Sequence, residues 1–347
     1  MRKIAPPLIV LLILTSLVSF GQNITDKDYR VLAVKSKDMA SAPKKAYIKN
    51  FKIFYQMIAE AEKTVRGGRQ LGGGSYTGNA TARLAVGVEG VDPKDLQDMT
   101  NKLYKDYVAK LEAMGLEVIS IDDLPTNEVF LEWEKIDGPR INEDQIKGSL
   151  MVIPEGFSYY VKGVNKKGKE KTGAFMAGIS KDPGGFLTST SGPVPKLSDE
   201  IGDIIIVEVA MNVPAIYLDP KTNFGAAKVK GGAYLRLQQA KASYVSGKMK
   251  KPGVAYPATA VELTLNNPIP MPTVFGEQNF KTVATKSRTT TPSYASFFTV
   301  ENRTVDLQNT IKCESEDYTR EVSKVIGDYL DISLDKLSKA MAGEKVK

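Results

Sequence analysis

Histidine is absent from this sequence of 347 residues, and cysteine occurs only once, at Cys313. Without histidine the chain has neither a Ser-His-Asp nor a Cys-His catalytic group, and it has no imidazole for acid–base steps. A closed structural zinc site needs four nitrogen or sulfur ligands, which one cysteine cannot supply. We therefore expect no metal site and no cofactor. Only carboxylate, lysine, tyrosine or serine–lysine chemistry remains open for catalysis.

Long apolar runs are missing except near the N-terminus, where residues 8–18 carry no charge. Arg2 and Lys3 precede this run, and Ser19 and Gly21 place small residues shortly before Gln22. This pattern is typical of a secretory signal peptide over residues 1–21, cleaved before Gln22. The run is shorter than a membrane span of about 20 residues. We therefore expect a periplasmic or secreted protein that has no integral membrane span after signal removal.

Neither sign of charge dominates, since 47 basic and 40 acidic residues give a net charge of +7. Lysines nevertheless cluster around Lys166 and Lys167 and again at Lys248, Lys250 and Lys251. Such clusters bind anionic surfaces or acidic partners in some proteins, but the sequence favours solvated hairpin tips. The expected partners are an envelope protein or an anionic envelope surface, and nucleic acid is a poor candidate for an exported chain. Assembly into a homo-oligomer stays open.

The mature chain divides into three segments by composition and pattern. Residues 22–43 are polar and mixed, and we interpret them as an N-terminal extension. Residues 44–123 carry the pattern of a ββαβ unit, and residues 124–347 form a β-rich region closed by a C-terminal helix. The last two segments are either separate domains or one continuous domain.

The ββαβ unit is predicted from alternation and from helix signals. Apolar residues alternate over 47–59 and over 76–88, with a glycine-rich stretch between them, which predicts a long hairpin. Asp92 is a good N-cap, Pro93 suits the first turn and Gly115 suits a helix end, so we predict a helix over residues 92–114. Its apolar stripe includes Leu103 and Tyr107, which we expect in the core.

The β-rich region shows its clearest strand at residues 204–213, followed by a returning strand at 228–244. Residues 316–341 have apolar positions at helical spacing and predict the C-terminal helix. The expected fold class is therefore α+β, a mainly antiparallel sheet with long hairpins, covered by the mid-chain helix and the C-terminal helix.

No catalytic group can be assigned from motifs. Residues 163–170 nearly match a phosphate-binding loop, but Glu170 stands where a hydroxyl is needed. Residues 171–173 and the pair Ser333 and Lys336 resemble elements of penicillin-binding enzymes, yet their order along the chain is reversed. We attribute both matches to chance.

Four residues are speculative contacts for a ligand or partner: Glu208, Asn212, Lys166 and Lys167. Glu208 lies within an apolar strand, so it is either a binding or acid–base group with a raised pKa or a residue on the solvated sheet face. Its alternation with valines favours the solvated face.

Three functions remain as hypotheses at this point. The leading one is an exported, non-catalytic protein of the bacterial cell envelope that binds a partner or supports an envelope assembly. The first alternative is a histidine-independent hydrolase that uses carboxylate or serine–lysine chemistry. The second is an oligomeric pore-forming or secretion-associated envelope protein, to which each subunit would donate a long hairpin.

Overall fold

The structure is a computed structural model that describes residues 24–67, 78–124, 130–131, 133–143, 146–161, 193–223, 226–250, 256–276, 278–283, 296–300, 303–307 and 309–347. Residues 1–23, which include the predicted signal peptide, the glycine-rich stretch 68–77 and the lysine-rich segment 162–192 lie outside the described residues. The predicted sites at Lys166 and Lys167, the phosphate-loop-like segment and residues 171–173 therefore also lie outside them.

The first half of the chain contributes nine strands and one long helix to the described structure. In chain order they are β1 (Tyr29–Val34), β2 (Lys45–Gln56), β3 (Ile58–Val65), β4 (Ala80–Glu89), α1 (Pro93–Ala113), β5 (Glu117–Ile119), β6 (Glu134–Asp137), β7 (Arg140–Asn142), β8 (Ser149–Ile153) and β9 (Ser158–Val161). Short 3₁₀ helices cover Ser36–Ser41 and Ile121–Asp123.

The second half is richer still in strands and ends in the longest helix. Its elements are α2 (Pro193–Glu200), β10 (Ile205–Val213), β11 (Ile216–Asn223), β12 (Ala226–Ala233), β13 (Arg236–Leu237), β14 (Gln239–Lys248), β15 (Pro257–Leu265), β16 (Ile269–Pro270), β17 (Gln278–Val283), β18 (Ser296–Val300), β19 (Arg303–Asp306), β20 (Asn309–Lys312) and α3 (Ser315–Met341). The protein is sheet-rich and broadly α+β, as predicted.

The main sheet joins both halves of the chain in the order β1-β15-β14-β10-β2-β8-β7, with β5 also paired to β2. Most of its neighbours are antiparallel, but β2 is parallel to both β10 and β5. Strand β1, which falls within the predicted N-terminal extension, forms an edge of this sheet against β15. The sheet therefore includes strands from all three predicted segments.

The predicted long hairpin is bent, because its first strand changes sheets at Met57. Strand β2 lies in the main sheet, whereas β3 pairs with β4 in a smaller three-stranded sheet with β20. The strand predicted at 204–213 is followed by a similar bend, after which β11 pairs with β12 and β17. Gln56 connects the two bends, since its Oε1 accepts hydrogen bonds from the backbone N–H groups of Ala215 (2.9 Å) and Ile216 (2.8 Å).

The two small sheets pack face to face and bury the apolar sides of both hairpins. Strand β3 contacts β11, and β4 contacts β12. Leu84 and Val86 of β4 and Val229 of β12 are at most 1% exposed. Burial of this kind stabilises the fold through the apolar area that it removes from water.

Helices α1 and α3 cover one face of the main sheet, which we call the helix face. Asp92 Oδ1 accepts a hydrogen bond from the Lys94 backbone N–H (2.8 Å), and Gly115 at the other end has a φ of +83°, so α1 begins and ends where its sequence signals lie. Leu103 and Tyr107 are 6% and 1% exposed, as the apolar stripe predicts. The short helix α2 packs on the opposite face. No helix in the described ranges is long and apolar enough to cross a membrane.

Candidate functional site

The face of the main sheet opposite α1 and α3 carries a band of polar side chains, all buried except the half-buried Lys241, which we call the polar row. Its members are Lys49, Asn50 and Lys52 of β2, Glu208 of β10, Lys241 and Ser243 of β14, and Glu262 and Thr264 of β15. Strand register brings them together, because Glu208 is paired with Asn50 on one side and with Ser243 on the other, and Ser243 is paired with Glu262. A register shift next to Lys49 marks a β-bulge, a feature that redirects side chains.

Glu208 is buried rather than solvated, so the prediction from alternation is wrong. It is 5% exposed, and its Oε1 lies 2.7 Å from Lys49 Nζ. Alternation correctly places Glu208 on the face away from the core valines, but it cannot show what covers that face. Phe130 and Trp133, from a short segment between strands, and Tyr160 of β9 contribute to the cover.

Asn212 lies on the same face of β10 but away from the polar row. Its side-chain Nδ2 is 3.5 Å from Gln239 Oε1 on the neighbouring strand, and the residue is half-buried. Four residues along a strand separate it from Glu208, a distance of about 13 Å. The structure therefore does not bring these two predicted contacts into one site.

The charges of the polar row are arranged as pairs of opposite sign. Besides the Lys49–Glu208 pair, Lys241 Nζ lies 3.4 Å from Glu262 Oε2. Lys52 Nζ lies 4.1 Å from the centre of the Tyr159 ring, a cation–π contact. Because each carboxylate faces an ammonium group rather than a second carboxylate, the row does not have the paired acids that carboxylate hydrolases use.

A cavity of about 10 Å³ adjoins the β2 end of the polar row and is lined by Lys49, Asn50, Lys52, Phe130, Trp133, Tyr159 and Tyr160. Its volume suits a single water molecule. Asn50 Oδ1 is buried without a hydrogen-bond partner among the described atoms. A bound water is therefore consistent with this cavity, whereas an organic substrate is too large for it.

The serine–lysine pair noted in the sequence does not form a catalytic group. Ser333 is fully buried between α3 and the sheet, where its hydroxyl donates to the Leu330 carbonyl (2.7 Å) and is also hydrogen-bonded to the Tyr244 hydroxyl (2.8 Å). Lys336 instead points to the Tyr29 ring, with its Nζ 5.6 Å from the ring centre. Burial raises the pKa of Tyr244 to about 12, so this tyrosine stays protonated at neutral pH.

A larger cavity opens at the end of the main sheet where β14 leaves it. We call it the lysine cleft. It has a volume of about 530 Å³, and its charged lining residues are Lys35, Asp38, Asp203, Lys248 and Lys250. Lys251, the third lysine of the basic cluster that includes Lys248 and Lys250, lies outside the described residues.

Two strained backbone positions line the lysine cleft. Lys35 (φ 42°) and Asp203 (φ 60°) are the non-glycine residues with positive φ in the described ranges. Both are held by hydroxyl groups, since Thr259 Oγ1 donates to the Lys35 carbonyl (3.0 Å) and Ser246 Oγ donates to the Asp203 carbonyl (2.6 Å). Strained positions that the surrounding structure enforces are concentrated at functional sites.

The charges of the lysine cleft are available to a ligand. Among the described residues, the cleft ammonium groups of Lys35, Lys248 and Lys250 form no ion pair, and neither do the carboxylates of Asp38 and Asp203. Lys35 and Lys250 are exposed, and Lys248 is half-exposed. The cleft therefore presents three ammonium groups and two carboxylates, with one net positive charge.

Sequence reasoning missed Lys35 and Asp203 as functional candidates. Lys35 follows an edge strand within the predicted extension, and Asp203 follows α2, far from Lys35 in the chain. Only the pairing of β1 with β15, of β15 with β14 and of β14 with β10 brings them to one cleft. No local motif carries that information.

Comparisons of this chain with models of protein families, with curated proteins and with solved structures found no match.

Proposed function

We propose that this protein is an exported, non-catalytic protein of the bacterial cell envelope that binds an anionic envelope component, or a partner carrying such a group, in the lysine cleft. The observation that carries this proposal is the combination, in one place, of about 530 Å³ of open volume, two strained residues and three lysines that form no ion pair within the described part of the chain. Export rests on the N-terminal segment of the sequence alone.

The chemistry of the cleft favours an anionic group as the ligand. Lysine ammonium groups bind phosphates and carboxylates as point charges, and three of them around one cavity raise the local concentration of anions. Asp38 and Asp203 reduce the net charge. These carboxylates would repel a uniformly negative surface. The cleft therefore favours a single anionic group that contacts the ammonium groups.

A binding role agrees better than hydrolysis with the acids that the structure describes. Glu208 and Glu262 are buried and each faces a lysine. Each of these carboxylates is compensated by its lysine, and the water-sized cavity at the β2 end of the polar row does not admit a substrate. The pore hypothesis needs apolar hairpin surfaces directed outward, whereas the described apolar sides of the two hairpins pack against each other.

The test is retention of the purified mature protein on immobilised bacterial envelope fractions. We expect the double variant Lys248→Glu with Lys250→Glu to lose at least about tenfold in apparent affinity. Because surface charges are screened by salt, we also expect the retention of the unmodified protein to fall as salt rises.

A matched control reverses the same number of charges on α1, with Lys102→Glu and Lys105→Glu. Both lysines are exposed and neither lines the cleft, so this variant should retain wild-type affinity. Equal affinity of the two double variants would rule out the lysine cleft as the binding site.

A further inference from the structure

A second surface with ligand-binding character lies at the other end of β14, on the small sheet formed by β11, β12 and β17. Only three large apolar side chains are exposed in the described part of the chain, and two of them, Tyr217 (39%) and Tyr234 (42%), belong to this surface. Strand β14 has ten residues and spans about 30 Å, so the surface is well separated from the lysine cleft.

Both tyrosines lie on the same side of the small sheet. Tyr217 is paired with Gly232 across β11 and β12, and the Tyr234 backbone N–H donates to the Ala215 carbonyl (2.8 Å), which continues the same pairing. Because side chains alternate between the two faces of a strand, Tyr234 lies on the same side of the sheet as Gly232, which precedes it by two residues. Diagonal neighbours of this kind are about 7–8 Å apart, within reach of each other's rings.

Glycine at position 232 allows the Tyr217 ring to lie against the sheet. A Cβ at this position would come within 2.6 Å of Tyr217 Cε1 and 2.8 Å of its hydroxyl oxygen. The Tyr217 hydroxyl reaches across β12 and donates to Asn279 Oδ1 on β17 (3.2 Å). The ring is thus held at both ends, and it keeps more than a third of its surface in solvent.

Tyr234 is fixed by a cation. The Arg236 guanidinium carbon lies 4.8 Å from the centre of the Tyr234 ring, and Arg236 Nη1 donates to the Tyr234 carbonyl (2.8 Å). Arg236 Nε also donates to the Gln238 side chain. We call this surface, made of Tyr217, Tyr234, Arg236 and Asn279, the aromatic shelf.

We propose that the aromatic shelf binds the sugar rings of a neutral polysaccharide. The negative face of an aromatic ring attracts the partially positive C–H groups of a pyranose ring, and the amide and guanidinium groups at the rim match its hydroxyl groups. A rigid tyrosine also loses little conformational entropy on binding. On this face of the sheet, Tyr217 is flanked by Gly232 and Asn279, and the next pair along β11 and β12 is Asp219 with Lys230, which have opposite charges. This polar surface is unlike the apolar centre of a protein interface.

Saturation-transfer NMR with two neutral probes, an N-acetylglucosamine tetramer and a glucose tetramer, tests the proposal on the mature protein. We expect at least one probe to bind with a dissociation constant of about 1 mM. Tyr217→Ala and Tyr234→Ala should each weaken binding by about tenfold or more. The probe that binds more tightly identifies the class of polysaccharide.

Two control variants separate ring stacking from loss of fold. Tyr217→Phe keeps the ring and loses only the bond to Asn279, so it should bind nearly as the wild type does. Leu131→Ala removes the other exposed apolar side chain (67% exposed) and should leave binding unchanged.

Three results would overturn the proposal. They are no binding of either probe, binding that both tyrosine-to-alanine variants retain, and self-association of the protein that these variants abolish. The probes are uncharged, so the outcome is independent of the lysine cleft.

Discussion

The two faces of the main sheet are built from the same strands but bury polar groups in different ways. On the helix face, polar groups are neutral hydroxyls: Tyr107 donates to Tyr244 (2.8 Å), and Tyr329 donates to the Leu263 carbonyl (2.7 Å). On the opposite face, the polar row buries charged pairs such as Lys49 and Glu208. One hydrogen-bond partner offsets the free-energy cost of removing a neutral hydroxyl from water. A buried charge needs an opposite charge and further hydrogen bonds to offset its larger cost.

This difference determines how strongly a single substitution on each face lowers the stability of the protein. Removal of one hydroxyl leaves its buried, uncharged partner without a hydrogen bond, which lowers the free energy of unfolding by about 1–3 kcal/mol. Loss of one member of a buried ion pair leaves an uncompensated charge, which costs about 3–5 kcal/mol. The polar row should therefore be more sensitive to single substitutions than the hydroxyls of the helix face.

The largest effect is expected for Lys49→Ala. This change leaves Glu208 buried without its ammonium partner, so we predict a loss of about 3–5 kcal/mol in the free energy of unfolding, measured by urea denaturation. The double variant Lys49→Met with Glu208→Leu removes both charges and should be close to wild type in stability. If the single variant were as stable as the double variant, the pair would not be buried as described.

The next effect tests the apolar packing of the helix face. Leu103 is 6% exposed on α1, so Leu103→Ala should lower the free energy of unfolding by about 2–5 kcal/mol. Lys102→Ala, one position away and exposed, should change it by less than about 0.5 kcal/mol. Equal melting shifts in the two variants would contradict the orientation of α1.

A smaller effect is expected from alkaline pH, which acts on the helix face. Burial raises the pKa of Tyr104 and of Tyr244 to about 12, above the usual value of about 10. Between these values the unfolded chain releases tyrosine protons that the folded protein keeps, so stability is complete below pH 10 and falls as pH rises towards 12.

The variant Tyr104→Phe should reduce this pH dependence, measured by denaturant titrations at several pH values between about 9 and 12. Tyr104 contacts Phe51 and Phe157 through its ring, so phenylalanine keeps the packing. An unchanged slope in this variant would mean that Tyr104 does not titrate with unfolding.

The smallest effect, no change at all, is expected from strong chelators. The described residues contain no group of three potential metal ligands, and the carboxylates of the polar row face lysines. We predict an unchanged melting temperature after chelation and no stoichiometric metal in gently purified protein. A transition metal present at one equivalent per chain, whose removal lowers the melting temperature, would contradict this prediction.

The sequence predicts the helix face better than the polar row for a physical reason. The caps and stripe of α1 are local signals, so Asp92, Leu103 and Gly115 could be interpreted without the fold. The bend at Met57 leaves no such signal, because alternation continues through β2 and β3 although the two strands join different sheets. The burial of Glu208 depends on Phe130, Trp133 and Tyr160. These residues are distant from Glu208 in the sequence, so the residues around Glu208 do not indicate that they cover it.

The lysine cleft could not be predicted for a related reason. Its lysines come from the end of β1 and the end of β14, which only β15 connects. Lys248 and Lys250 form a basic cluster in the sequence, but their association with Lys35 and with the strained Asp203 follows from sheet order alone. The proposed binding function therefore rests on tertiary structure rather than on a motif.

The most direct test of the account is an NMR titration of the protein with ¹³C-methylated lysines, using inorganic phosphate and acetate as separate ligands. The account predicts saturable shifts at Lys35, Lys248 and Lys250 with at least one of these anions, and no saturable shift at Lys102. An absence of saturable shifts in the lysine cleft, or shifts of equal size at Lys102, would contradict it.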